Sequence, residues 1–172
     1  ARLYDQEVLT NQLQHVLELM HGIAPPPPKH LQVRVVGSYN GDFIRSGFTS
    51  TYPQLTRVLA SAGRSLADFG SILDFGCGCG RSIFALSRLL PDAELHGTDI
   101  DEEAISWLRE HCGDLATYSV CPPDPPTVHD DDTFDFAFGI SVMTHLPEDM
   151  QSACLAELSR LEEAGELRGL AA

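Results

Sequence analysis

The first third of the chain has apolar positions at helical spacing in two segments. Residues 5–20 and residues 52–62 each place their apolar side chains on one helical face. These side chains are Leu9, Leu13, Val16, Leu17 and Met20 in the first segment, and Leu55, Val58, Leu59 and Ala62 in the second. The prolines at 25–28 end the first predicted helix, because proline lacks a backbone donor. Residues 31–47 are mixed in polarity and rich in glycine, which predicts mainly loop.

From residue 71 onward, short apolar runs alternate with amphipathic helical segments. Strands are predicted at 71–75, 93–99, 115–120 and 134–140, and helices at 81–90, 101–111 and 147–164. Such alternation indicates a parallel sheet with helices on both faces. With right-handed crossovers, the fold class is α/β with a doubly wound, Rossmann-like sheet. We divide the chain into an N-terminal helical arm that caps the site, residues 1–63, and a Rossmann-like domain, residues 64–172.

Three glycines follow the first predicted strand, at Gly76, Gly78 and Gly80. Ligands of doubly wound sheets bind at the carboxyl ends of the strands, so this turn has to bring its backbone close to a ligand. Glycine supplies the space and the left-handed φ values that such a turn needs. Asp99 ends the second strand, 19 residues after Gly80, where an acid can bridge the hydroxyls of a ribose. The pattern predicts a pocket for a cofactor that carries a nucleoside.

The spacing of the glycines separates the candidate cofactors. A nicotinamide-type GxGxxG motif needs a glycine at Arg81 or at Ile83, and neither position has one. A phosphate-binding P-loop is also absent, because the segment lacks the earlier glycine and the lysine of that motif. Asp74, two residues before Gly76, would repel a pyrophosphate and suits a cationic ligand.

These segments resemble a known family. ILDFGCGCGRS at 72–82 resembles motif I of the class I S-adenosylmethionine-dependent methyltransferases, and LHGTDID at 95–101 resembles motif II. FDFAFGISVMTHLPED at 134–149 is similar to the fourth strand and following loop of a bacterial subgroup. The resemblance covers residues 71 to about 163. It implies S-adenosylmethionine as the cofactor and methyl transfer to a nucleophile by in-line displacement, with proximity and orientation as the main catalytic device.

The resemblance also implies the site residues. The expected cofactor-binding residues are Asp74, Gly76, Cys77, Gly78, Gly80, Asp99, Ile100 and Ser141, with Asp99 as the ribose acid. Where the family holds adenine, Cys121 and Pro122 replace the usual acid or amide, so backbone contacts are expected there. His145, just after the fourth strand, is the candidate catalytic base for a hydroxyl or amine acceptor, and packing with hydrogen bonding is its alternative role.

At its C-terminal end the sequence departs from the family pattern. LEEAGELRGLAA at 161–172 keeps a glycine at the expected turn, and the usual last strands do not follow. We therefore expect a C-terminally truncated fold. A sheet edge left exposed in this way is a natural site for strand pairing between chains, so a homodimer through that edge is an expected assembly.

Composition and charge disfavour some classes of binding partner and of cellular location. The formal net charge of -14 and a pI near 4.6 disfavour nucleic acid, because such a surface repels phosphate. No apolar run is long enough to span a membrane, and the N-terminal residues do not form a signal peptide. Five scattered cysteines do not form a disulfide framework, which predicts a cytoplasmic protein.

The predicted function is methyl transfer to a small-molecule or sugar-type acceptor. Three alternatives remain open: a module that binds the cofactor without transferring its methyl group, a nicotinamide oxidoreductase, and a metal or redox protein that uses Cys77 and Cys79. The other cysteines and histidines show no metal-ligand spacing. Both cysteines are therefore interpreted as small turn residues, and no metal is expected.

Overall fold

The centre of the molecule is a sheet of four parallel strands, β1 (Ser71–Phe75), β2 (Glu94–Asp99), β3 (Thr117–Val120) and β4 (Phe136–Phe138). The computed structural model describes residues 15–22, 24–39 and 41–162. The strand order is β3-β2-β1-β4, which confirms the α/β fold class and the four predicted strands. The order reverses at β1, so the crevice between the carboxyl ends of β1 and β4 is where such a sheet binds its ligand.

Helices cover both faces of the sheet. They are α1 (Lys29–Val36), α2 (Phe43–Ser46), α3 (Tyr52–Ser61), α4 (Arg81–Leu89), α5 (Glu102–His111) and α6 (Glu148–Leu161), with a π-helical turn at Gly47–Thr51 and short 3-10 turns at Leu66–Asp68 and Met143–His145. Residues 15–20 are also helical, while residues 5–14 of the first predicted helix lie outside the described residues. Within the described ranges, no helix combines the length and apolarity needed to cross a membrane.

The prediction of mainly loop for residues 31–47 is wrong, since α1 and α2 occupy most of this segment. Leu31 and Phe43 are buried in the core, and the Gln32 side chain donates a hydrogen bond to the carbonyl oxygen of Pro27 at 2.7 Å. Burial of a few well-placed side chains stabilises these short helices although their local sequence signal is weak.

Two buried clusters lie on opposite faces of the sheet, and β1 contributes to both. Ile72 belongs to the cluster formed with α4, α5 and the N-terminal arm, whereas Leu73 and Phe75 pack with α6. Because side chains of a strand alternate between faces, Asp74 lies on the same face as Ile72. The strand thus places a carboxyl group among apolar neighbours at its ligand-binding end.

The outer edge of β4 is partly covered by the residue that follows α6. Glu162 forms a parallel bridge with Phe134, and its carboxylate accepts a hydrogen bond from Ala137 N at 3.0 Å. Residues 163–172, which contain the expected turn glycine Gly165, lie outside the described residues. Since the Ala137 donor is already bonded, this edge is less available to a second copy than the sequence suggests.

Gly47 is expected to be essential for packing of the π-helical turn against α4. A Cβ atom at Gly47 would overlap the backbone oxygen of Arg81 and also touch Ala85. We expect Gly47→Ala to lower the free energy of unfolding by about 2 kcal/mol, although alanine favours helices by about 1 kcal/mol over glycine. Urea unfolding would measure this change. Gly63→Ala is the control, because its Cβ meets open space and only the positive φ of 73° opposes it; a larger loss at Gly63 would contradict the prediction.

Candidate functional site

The turn after β1 has the left-handed backbone that the sequence predicts. Gly76, Gly78 and Gly80 have φ values of 76°, 54° and 90°. A Cβ at Gly78 would lie 2.5 Å from Val35 Cγ2 in α1, and a Cβ at Gly76 would overlap Val142. Only glycine satisfies both the φ values and these close approaches. The turn therefore presents bare backbone between β1 and the first residue of α4.

Asp99 connects the end of β2 to this turn. Gly78 N donates to Asp99 Oδ2 at 2.7 Å, and Asp101 N donates to Asp99 Oδ1 at 2.9 Å. Each carboxylate oxygen can accept more than one hydrogen bond, so capacity for ligand hydroxyls is left. Asp99 thus both orders the glycine turn and offers acceptors beside it.

Asp74 is the most unusual ionisable group of the site. Its side chain is 2% exposed, and burial raises its carboxyl pKa to about 7, against the opposing effects of a Ser82 hydrogen bond and the Arg81 charge. Asp99 nearby raises the pKa further. Among the described residues, Asp74 Oδ2 has no hydrogen-bond partner. A buried acceptor without a partner is costly, so the arrangement favours a ligand that brings a positive charge or a donor to this oxygen.

One cavity of about 380 Å³ joins these groups at the carboxyl ends of the strands. It brings together most of the site residues expected from the sequence: Asp74, Gly76, Cys77, Gly78, Asp99, Ile100, Ser141 and His145 all line it. Ile100 is 63% exposed, an apolar surface beside Asp99. Ser141 is one of two described non-glycine residues with a positive φ, at 62°.

Gly80 is the expected cofactor-binding residue that the cavity does not include. It is the N-cap of α4, and a Cβ there would lie 2.8 Å from Leu108 Cδ2 of α5. The absence of a side chain at Gly80 thus allows close packing of α4 against α5, and contact between Gly80 and the cofactor stays a prediction.

The sequence did not predict that α1 forms one wall of the cavity. Arg34 and Val35 line the cavity, and Arg34 pairs with Asp101 at 2.9 Å and with Glu103 at 2.7 Å. His30 bonds Glu103 at 2.8 Å. The signal was present as two basic residues four apart, which share one helical face and meet the acids that follow β2. The arm contributes to the site through these contacts.

The cysteines are free, and Cys77 and Cys79 are buried. Burial raises the pKa of the Cys79 thiol to about 12 and raises that of Cys77 as well, so both thiols are protonated at neutral pH. In the part of the chain that the structure describes, no group of three or more metal-ligating side chains occurs. These properties support the interpretation of both residues as small members of the turn.

Comparison with known proteins identifies the class. A family model described as a methyltransferase domain matches residues 72–165, which is more than half of the chain. The chain belongs to this methyltransferase domain family. Membership confirms the predicted Rossmann-like methyltransferase fold and S-adenosylmethionine as the cofactor. No curated protein matches the chain.

Several solved structures share the fold. DesVI from Streptomyces venezuelae is similar with a TM-score of 0.57 and 18% identity, over 82% of this chain and 56% of that chain. The Burkholderia thailandensis 1,6-didemethyltoxoflavin-N1-methyltransferase, with bound 1,6-didemethyltoxoflavin and S-adenosylhomocysteine, has a TM-score of 0.53 and 22% identity, over 83% of this chain and 63% of that chain. SAM-bound CalS10, an amino pentose methyltransferase from Micromonospora echinaspora, has a TM-score of 0.54 and 17% identity, over 70% of this chain and 48% of that chain. The chain spans less than two thirds of the length of each of these three proteins.

Proposed function

We propose that this protein binds S-adenosylmethionine in the cavity and transfers its methyl group to a small-molecule acceptor. The proposal rests on one observation. Two carboxyl groups, those of Asp74 and Asp99, line the same cavity on either side of the glycine turn in the chain. Asp74 offers a buried oxygen without a partner in the described chain, and Asp99 offers acceptors beside Gly78. A ligand with a cationic end and a ribose supplies the donors that these carboxylate acceptors need.

The residues of the cavity divide by the chemistry they offer. Asp74 would hold a positive charge of the methionine end, close to the backbone of Cys77 and Gly78. Asp99 would accept hydrogen bonds from ribose hydroxyls. Ile100 offers the apolar surface for the base, and Ser141 lines the cavity from the loop after β4.

The bound cofactor supplies an electrophilic methyl group on a sulfonium. The chain itself holds this group in place, excludes water with the walls from α1 and α6, and positions an acceptor near His145. Orientation of this kind accounts for a large part of the acceleration of a bimolecular transfer. His145 is exposed and lines the cavity, so its ring nitrogen is accessible for removing a proton from a hydroxyl or amine acceptor.

A small-molecule or sugar-type acceptor agrees with the surface charge. The formal net charge of -14 disfavours a polyanionic acceptor such as nucleic acid. Two proteins with a similar fold are named for small-molecule acceptors. They are an amino pentose methyltransferase and a 1,6-didemethyltoxoflavin-N1-methyltransferase. We also propose a cytoplasmic location, because the five free cysteines suit a reducing compartment.

The proposal is tested by calorimetric titration with S-adenosylhomocysteine, followed by transfer of labelled methyl from S-adenosylmethionine to a panel of hydroxyl, amine and carboxylate acceptors. Saturable binding and turnover of one acceptor class support it. Binding without turnover of any acceptor supports the alternative of a module that holds the cofactor only. Absence of binding by the folded chain overturns the assignment of the cavity.

His145→Ala is expected to lower kcat about a hundredfold with an accepted substrate, the lower end for a positioned acid or base. The dissociation constant of S-adenosylhomocysteine should change less than threefold, because the proposed role concerns the acceptor. Rates are measured at saturating cofactor from pH 6 to 9. His111→Ala is the control, since His111 stacks on Trp107 in α5 and does not line the cavity. An unchanged kcat in His145→Ala would remove the proposed base.

A further inference from the structure

The loop after β3 forms one wall of the cavity but has little backbone anchoring. Its cavity-lining residues are Cys121, Pro122, Pro123, Pro125 and Thr127. Four of the residues 122–127 are prolines, which have no N–H to donate. Cys121 N bonds Asp99 O at one end of the loop, and Asp132 N bonds Arg160 O at the other. From 122 to 131, a range the structure describes completely, no backbone–backbone hydrogen bond holds the loop to the described chain.

Glu157 on α6 supplies the missing anchor through its side chain. Its Oε1 accepts hydrogen bonds from Thr127 N at 2.6 Å and from Thr127 Oγ1 at 2.7 Å. The residue is 4% exposed and is not among the residues that line the cavity. A buried carboxylate that takes both donors of one residue fixes the position of that residue strongly.

Arg160 keeps this carboxylate charged and extends the anchor. Arg160 Nε and Nη2 bond the two oxygens of Glu157 at 2.9 and 2.7 Å, and these bonds lower the pKa of the Glu157 carboxyl to about 2. Arg160 also donates to His129 O at 2.9 Å and to Asp131 Oδ1 at 2.6 Å. The pair therefore anchors the loop at three positions.

We propose that Glu157 is a positioning residue that holds the proline-rich loop as the wall for the nucleoside part of the cofactor. This inference rests on the proposed function. The loop starts beside the ribose acid, because Cys121 N bonds the backbone oxygen of Asp99 at 3.0 Å. Since the position after β3 has no acid or amide to recognise a base, the shape of the wall carries the recognition. Glu157 also joins this wall to α6, which lines the cavity with Met150 and Cys154.

The test combines calorimetry with S-adenosylhomocysteine and hydrogen exchange of the free chain. Glu157→Ala is expected to weaken S-adenosylhomocysteine binding at least tenfold and to remove protection of the Thr127 amide. Glu157→Gln should restore affinity to within about threefold of the original chain, because its amide oxygen can still accept from Thr127 N. Thr127→Val removes the hydroxyl bond and keeps the backbone bond, so we expect a loss of about threefold; this variant also serves if Glu157→Ala does not fold.

Asp135→Ala is the matched control. Asp135 Oδ2 accepts from Gly70 N at 2.7 Å and from Ser71 N at 2.9 Å, so it also anchors backbone through one carboxylate, but at the amino end of β1. Its S-adenosylhomocysteine affinity should stay within twofold of the original chain despite a similar loss of stability. Equal losses in Asp135→Ala and Glu157→Ala, or full affinity in a folded Glu157→Ala, would overturn the positioning role alone. No binding by the original chain would overturn the proposed function together with this inference.

Discussion

Replacing Asp99 by alanine is expected to weaken binding of S-adenosylhomocysteine about a thousandfold. Two hydrogen bonds from ribose hydroxyls to a carboxylate are worth about 1.5–3 kcal/mol each, and 1.4 kcal/mol corresponds to a factor of ten. The variant also removes the acceptor that Gly78 N uses at 2.7 Å, so the glycine turn loses its connection to β2. Calorimetric titration at neutral pH measures the change.

Asp99→Asn separates these two contributions. Asparagine keeps one acceptor oxygen for Gly78 N but loses the charge and the second acceptor, so we expect an intermediate loss of about tenfold to a hundredfold. Thermal unfolding of the free chain is measured beside binding, to show that each variant is folded. If Asp99→Ala binds within threefold of the original chain, Asp99 is not the ribose acid and the cofactor lies elsewhere in the cavity.

The sequence predicts those parts of the fold in which apolar residues recur at the spacing of a strand or a helix. β1 is a buried, mainly apolar run, and α4 and α5 have amphipathic faces bounded by Gly80, Pro91 and Asp101. Asp101 caps α5 by accepting from Ala104 N at 3.2 Å, a local interaction that sequence spacing reveals. Such elements depend on neighbours within a few residues, and their predictions are confirmed.

The missed elements depend on contacts between distant segments. α1 is stabilised by ion pairs to Asp101 and Glu103, about 70 residues away, and by burial of Leu31. Gly80 follows the same glycine pattern as Gly76, and only the position of Leu108 shows that it packs against α5. Spacing along the chain cannot distinguish these roles, because they are set by which helix crosses the turn.

In the candidate site, too, some features are predictable from the sequence and others depend on contacts between distant segments. The identities of Asp74 and Asp99 are evident from motif position, and the cavity brings both together with His145. Two other features follow only from packing. Asp74 is buried with one oxygen that has no partner among the described residues, and Glu157 anchors the proline-rich loop after β3. Sequence therefore predicted the ligand class, while the protonation behaviour of the site required the fold.

Asp74→Asn is expected to weaken cofactor binding by two to three powers of ten at pH 8. Removing one partner of a buried ion pair costs about 3–5 kcal/mol, because the other charge is left without compensation. S-adenosylhomocysteine keeps the amino-acid ammonium and has no sulfonium, so it isolates the contribution of the ammonium. If Asp74 pairs with that ammonium, S-adenosylhomocysteine loses affinity as S-adenosylmethionine does. If only S-adenosylmethionine loses affinity, Asp74 pairs with the sulfonium.

The pH dependence of binding provides a second test of Asp74. Its carboxyl pKa of about 7 in the free chain means that a cationic ligand has to displace a proton below that pH. Affinity of the original chain should fall up to tenfold for each pH unit below 7, by linkage between the proton and the ligand. Asp74→Asn has no proton to displace there, so its weaker binding should show no such slope between pH 5 and 7. A parallel slope in both chains would assign the dependence to another group.

The same substitution is expected to stabilise the free chain at pH 8. The folded pKa of Asp74 is raised above the unfolded value of 3.8, so the folded state holds the proton more tightly, and stability falls as pH rises from about 4 to about 7. Above pH 7 the full penalty is present, on the order of 4 kcal/mol for a carboxyl pKa raised from 3.8 to about 7. Urea unfolding should show Asp74→Asn more stable than the original chain at pH 8 and no more stable at pH 4. Stabilisation together with lost affinity would show that the chain holds this carboxylate at the expense of its own stability, because the ligand needs the charge.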